Sequence, residues 1–132
     1  MLYKSSKKVI ASVIVKEGKV LIAQRGKQDF LYGKWEFPGG KMEEGETETE
    51  CLARELFEEF GIHATINSYI CSSFFEHKEQ SMEMRAYFVY EYSGEMALTE
   101  HLEIRWVSKE ELISYDMPDP DKPIVEKLLT LL

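Results

Sequence analysis

Cysteine is scarce in this chain, with only Cys51 and Cys71 among 132 residues. No Cys-x-x-Cys pair occurs, and the histidines lack zinc-ligand spacing. A disulfide framework and a structural zinc site are therefore excluded, and two thiols in a reducing compartment are expected. Long apolar runs are missing too. Val9–Val15 is too short to span a bilayer, and a polar turn follows it at once. Neither a membrane span nor a signal peptide is expected, and the location expected is the cytoplasm. Positive charge is in deficit: 16 Lys and Arg stand against 24 Asp and Glu, for a net charge of -8. That balance argues against a nucleic-acid polymer or an anionic membrane as partner, since both need a basic face. A small anionic substrate stays admissible if divalent cations accompany it. No repeat, low-complexity tract or long linker divides the chain, so residues 1–132 are expected to form one domain.

The chain is 44% hydrophobic and 12% aromatic, an ordinary globular composition. Val9–Val15 and Val20–Arg25, separated by Lys16-Glu17-Gly18-Lys19, predict a hairpin. "WEFPGG" predicts a short strand stopped by Pro38 and opened into a glycine loop. Thr47-Glu48-Thr49-Glu50 is a capping box and Gly61 a left-handed stop, which predicts a helix over 48–60. Its core stripe is read as Leu52, Ala53, Leu56, Phe57 and Phe60. Strands are expected over 64–75 and 82–92 and at "IRWV", a capped turn at "SKEEL", and a closing helix at "IVEKLLTLL" after the proline-rich "MPDPDKP". The order is strands, helix, strands, helix, a mixed α and β class.

The unusual feature is acid. Eight of the 23 residues from Gly40 to Ile62 are Glu. Glu55, Glu58 and Glu59 stand at i, i+3 and i+4, on one helix face away from the stripe. Arg54 offsets only part of their repulsion. A solvated surface is the plainer reading of such a cluster. Hard oxygens beside a Gly-Gly segment, however, suit Mg2+ or Mn2+ together with a phosphate chain.

Gly40, five residues, Glu46, seven residues and then "RELFEEFGI" (Arg54–Ile62) resemble the Nudix box, here residues 40–62, with all nine specified positions matched. The resemblance implies an α/β/α sandwich around a mixed β-sheet, an α+β fold. It also implies hydrolysis of a nucleoside diphosphate linked to another moiety. "WEFPGGK", the Arg of "AQR", Glu100 six residues before Trp106, and "PDPDKPIVEKL" are similar to the MutT-type branch. That branch releases monophosphate and pyrophosphate from modified or surplus nucleoside triphosphates. No proline occurs between Pro38 and Pro118, so the downstream proline of ADP-ribose-type members is missing.

The resemblance implies Mg2+, replaceable by Mn2+, held by Glu55, Glu58 and Glu59 with the backbone of Gly39 and a further ligand, Glu100. The general base is then Glu55 or Glu100, with attack at the α or the β phosphorus. Glu46 and Arg54 pair to fix the loop against the helix, with Gly40 and Gly61 in structural support. Arg25, by a forked grip, and Lys41 are candidate phosphate contacts; Phe37, Met82 and Pro120 map onto the base pocket. Asp121 replaces the Asn of the MutT pattern; ionised, it suits the amine of cytosine or the N1–H and amine edge of guanine. His63, His77 and His101 are read as ordinary residues. The expected substrate is a nucleoside triphosphate with a modified purine such as 8-oxo-dGTP. The alternatives are CTP or 5-substituted dCTP, a dinucleoside polyphosphate or a nucleotide sugar. A non-catalytic binding module would be expected to have lost a box acid, and none is missing. A monomer or a homodimer is expected, with nothing in the sequence to select an interface.

Overall fold

Alternating apolar side chains in the first strand set the layering. The structure, a computed structural model, describes residues 6–27 and 29–131. In β1 (Lys7–Lys16) Ile10 and Ile14 face one layer while Ala11 and Val13 face the other, and all four are buried. A strand buried on both faces belongs in the middle of a sheet. β2 (Lys19–Gln24) returns antiparallel through Glu17-Gly18, both at positive φ, the turn geometry that matches strand twist. The remaining elements are β3 (Trp35–Glu36), β4 (Gly39–Lys41), α1 (Glu48–Phe60), β5 (His63–Thr65), β6 (Tyr69–His77), β7 (Gln80–Val89), β8 (Glu91–Ser93), β9 (Glu103–Val107) and α2 (Lys122–Leu131).

Seven strands form one mixed sheet in the order β3-β2-β1-β7-β6, with β4 beside β1 and β9 beside β2. β1 and β7 run parallel, and the other pairs are antiparallel. Leu52, Leu56 and Phe60 of α1 cover the Ile10–Ile14 face; Ile124, Val125 and Leu128 of α2 cover the other. This is the α/β/α sandwich with a mixed sheet that the resemblance implied. Among the described residues, no helix is long and apolar enough to cross a membrane.

One edge of β1 changes partner along its length. Val15 and Lys16 pair with β2, whereas Val9, Ile10 and Ala11 pair with β4. Between them Ser12 turns both its N–H and its hydroxyl onto the carbonyl of Pro38, each at 2.7 Å. The two partners diverge there, and a cleft opens beside the divergence.

Both ends of α1 follow the local sequence. Thr47 accepts from the Glu50 N–H at 3.2 Å, and Glu50 accepts from the Thr47 N–H at 2.8 Å. Gly61 (φ 72°) sends its N–H to the Phe57 carbonyl. Glu48 in the first turn ties the helix to the sheet, accepting from Arg85 at 2.6 Å, Lys8 at 3.2 Å and the Tyr87 hydroxyl.

Four expectations are corrected. Phe57 is 51% exposed and rests on His63, because at 100° per residue it stands about 140° from Leu52. The buried arc instead takes in Cys51 and Glu59. The strands expected over 64–75 and 82–92 each break in two. The Asn67 side chain accepts the Tyr90 N–H, so both breaks fall together and β5 pairs with β8 in a separate sheet. Gly39 and Gly40 are paired strand residues, not an open loop. α2 begins two residues earlier than the apolar pattern, with Pro123 in its first turn, where a missing N–H does no harm.

Candidate active site

The cleft has a volume of about 1090 Å3 and a lining of two chemical kinds. Glu36, Glu59, Glu100, His101, Gly40 and Lys41 make up a polar set, and Phe37, Met82, Met84, Met117 and Pro120, with Asp121 among them, an apolar one.

Glu59 is the unexpected member of the polar set. It is 7% exposed, and its Oε2 is buried with no hydrogen-bond partner among the described residues. Burial, together with the charges of Glu36, Glu55 and Glu100, pushes its carboxyl up to about 9. The three box glutamates thus do not share one solvated face. Glu59 turns inward, Glu58 is exposed, and Glu55 lies half-buried between them. Among the described residues, no three Asp, Glu, His or Cys side chains gather closely enough to form a ligand cage. Like charges hold apart, and a guanidinium is interposed. Arg54 donates to Glu55 at 3.0 Å and Glu58 at 2.8 Å, and grips Glu46 with two bonds of 2.8 and 3.0 Å. Those bonds hold Glu46 down at about 2. Glu55 moves up instead, because burial and the charges of Glu58 and Glu100 outweigh Arg54.

The two glycines do different work, and neither has a positive φ. A Cβ on Gly39 would stand 1.8 Å from the Ile10 carbonyl oxygen, so only glycine lets β4 reach β1. A Cβ on Gly40 would fall within 2.2–2.5 Å of the Glu55 carboxyl, so this glycine is the seat of that side chain. Gly40→Ala is therefore expected to fold, since a side chain can yield where backbone cannot, but to displace Glu55. Activity should fall on the order of 100-fold with little change in thermal stability, as assayed turnover and a thermal melt will show.

Arg25 lines the cleft, but its fork is committed, one arm to Asp29 and the other to Glu36. Burial works against its charge, yet these carboxylates more than offset that and its pKa moves up. The forked grip on phosphate expected of Arg25 is thus taken by the protein itself. Lys41 is exposed on the cleft wall, and its ammonium has no hydrogen-bond or ion-pair partner among the described residues.

Among the apolar lining Asp121 is 3% exposed, and its Oδ2 accepts the Phe37 N–H at 3.0 Å. Burial outweighs that bond and, with the charge of Glu36, raises its pKa to about 7. Asp121 is thus a buried acid whose ionised form, the one that would suit a base amine, is disfavoured by burial. Pro120 is fastened by the Ser73 hydroxyl to its carbonyl. Phe37 and Met82 are each 3% exposed, and Phe30 stacks on His77 beside them, 5.4 Å between centroids.

The structure brings Arg25, Phe37, Gly39, Gly40, Lys41, Glu59, Met82, Glu100, Pro120 and Asp121 to one cleft. Glu55 abuts it through Gly40. Glu46, Arg54, Glu58 and Gly61 do not line it, the first three supporting it through the Arg54 network. Sequence reasoning missed Glu36 and His101, joined at 2.8 Å in the cleft wall. A charged residue inside the apolar "WEF" was the available signal for the first.

The NUDIX domain family profile matches residues 6–130. The chain belongs to the NUDIX family. It is 37% identical over 123 residues to the CTP pyrophosphohydrolase of Escherichia coli, covering 93% of this chain and 91% of that one. It is 36% identical over 124 residues to the 8-oxo-dGTP diphosphatase of Haemophilus influenzae, covering 92% and 90%. Among solved structures, the E. coli ORF135 protein superposes with a TM-score of 0.88 at 36% identity, over 96% of this chain and 90% of that one. A MutT protein from Methanosarcina mazei gives 0.84 at 27% identity, over 96% and 95%. NUDIX hydrolases act on phosphoric anhydrides and generally use a divalent metal, which matches the carboxylates that line the cleft.

Proposed function

We propose that this protein hydrolyses nucleoside triphosphates to a monophosphate and pyrophosphate with Mg2+, Mn2+ substituting. The expected setting is the cytoplasm, and the substrate a triphosphate carrying a modified purine such as 8-oxo-dGTP. The observation that carries this reading is one cleft lined by carboxylates as well as by methionines and aromatic rings, the chemistry a nucleotide with its cation needs.

The donor set fits a hard divalent cation. Glu59 offers a buried, unpartnered oxygen, and burial with neighbouring acids raises both Glu59 and Glu55, a penalty that a cation would reverse. When bound, the cation neutralises charge on the phosphoryl group and activates water. Lys41 is free to meet a phosphate oxygen as a point charge. Arg54 keeps Glu55 and Glu58 in place against their repulsion. Glu100 is exposed on the cleft wall with no side-chain bond among the described residues, so it is better placed than Glu55 to take the proton of the attacking water. Met82, Met84 and Met117 in the lining adapt to the shape of a ring.

Asp121 favours a second reading, a CTP or 5-substituted dCTP pyrophosphohydrolase, because its ionised form accepts from an exocyclic amine. Purified protein assayed on 8-oxo-dGTP, GTP, CTP, 5-methyl-dCTP, UTP, a dinucleoside polyphosphate and a nucleotide sugar separates these. Orthophosphate is expected only after added pyrophosphatase. In 18O-water, label in pyrophosphate reports attack at the β phosphorus and label in the monophosphate attack at the α phosphorus. Direct orthophosphate release would refute the class.

A further inference from the structure

We propose that His101 is a positioning residue for this reaction: gripping Glu36 and stacked on Phe60, it holds the loop before β9 so that Glu100 stands over the carboxylates of α1. The inference rests on the reading of Glu100 as a site residue. His101 donates through Nε2 to Glu36 Oε2 at 2.8 Å, and its side chain is 4% exposed. The other oxygen of Glu36 is held by Arg25, itself paired with Asp29, so the imidazole is fastened to a carboxylate that cannot swing. Its ring lies 5.3 Å from the Phe60 ring and 13° from parallel, one residue along α1 from Glu59.

The flanking residues are fastened too. The Thr99 hydroxyl donates to the Glu59 carbonyl at 2.9 Å, and the Leu102 N–H to the Gln24 carbonyl at 3.0 Å. Gly26 lets the Glu100 backbone approach closely, since a Cβ there would stand 2.4 Å from its carbonyl oxygen. The Glu100 side chain, with no bond of its own among the described residues, is left to the cleft.

His101 Nδ1 is buried without a partner among the described residues. An unpaired ring nitrogen destabilises a fold, so a ring kept for packing alone would serve better as Phe. What a phenyl ring cannot do is hold Glu36.

His101→Phe keeps the stack and loses the hydrogen bond; His101→Gln loses the ring and keeps an N–H that reaches Glu36. In the full chain, His101→Phe is expected to lower kcat about tenfold or more with KM little changed, and His101→Gln to recover most of the loss. Mn2+ binding to the substrate-free protein, followed by water proton relaxation, should weaken in His101→Phe and not in His101→Gln. In a Glu100→Gln background, His101→Phe should cost nothing further, because the group it positions is already gone. Additive losses in that double variant, or wild-type kcat in His101→Phe, would overturn the proposal. Should His101→Phe not fold, comparing His101→Gln with the shorter His101→Asn carries the same test. Wild-type activity in Glu100→Gln alone would overturn the reading of Glu100 beneath it, and wild-type activity in Glu59→Gln the function itself.

Discussion

Glu58→Gln and Glu59→Gln are each expected to lower kcat on the order of 100-fold or more, and excess EDTA to abolish turnover. The two variants should differ in stability. Glu58 is exposed and has only Arg54 to lose, at 2.8 Å, so its replacement leaves the melting temperature nearly unchanged. Glu59 is buried with an unpartnered oxygen, near Glu36, Glu55 and Glu100. Its folded-state pKa, about 9, lies above the unfolded value of 4.5. The native state therefore binds this proton more tightly, and the stabilisation, full below the unfolded value, is lost as pH rises towards the folded one. Glu59→Gln removes the titration, so the metal-free variant should melt higher than wild type at pH 8 while turning over far more slowly. An acid held against the interest of the fold is the mark of a site residue. Wild-type rates in either variant, or full activity in EDTA, would sink the metal assignment.

Asp121→Asn is expected to change both base preference and pH dependence. Asp121 sits at about 7 in the fold against an ordinary 3.8, chiefly through burial, so both protonation states are populated near neutrality. The sign is again that of a raised carboxyl. Its contribution is complete below the unfolded value and lost as pH rises through the folded one. Asn does not titrate and can still accept the Phe37 N–H. Urea unfolding of variant and wild type should converge towards pH 4 and separate above it, the variant being more stable by about 4 kcal/mol at pH 8. In catalysis the ionised form only accepts, whereas the protonated form can donate from the oxygen not bound to Phe37. The ranking of GTP, 8-oxo-dGTP, CTP, 5-methyl-dCTP and UTP by kcat/KM should then shift with pH in wild type and not in Asp121→Asn. The change for the best substrate should be about 1–3 kcal/mol, the effect of one mispaired polar contact. If Asp121→Asn and Asp121→Ala both keep the wild-type order at every pH, Asp121 does not read the base.

How much of this was legible beforehand follows the range of the interactions involved. α1 was readable at both ends, because the Thr47–Glu50 box and the Gly61 stop operate within a turn of helix. The hairpin of β1 and β2 was readable for the same reason. The spacing of Gly40, Glu46 and the Arg54–Ile62 run identified the chemistry, since helical periodicity places those acids without reference to the rest of the chain. What periodicity could not supply was the side of α1 that the cleft would occupy. Glu59 was placed on the face away from the core stripe and Phe57 within it, whereas the fold buries Glu59 and leaves Phe57 exposed. Nor could it supply Glu36 and His101, 65 residues apart, or the bond from Phe37 to Asp121, across 84. Sequence alone determined which acids this protein carries and the helix that presents them. Only the tertiary structure decided which of them lie out of water beside one another, because burial and like-charge proximity are properties of residues that meet through the sheet and not along the chain.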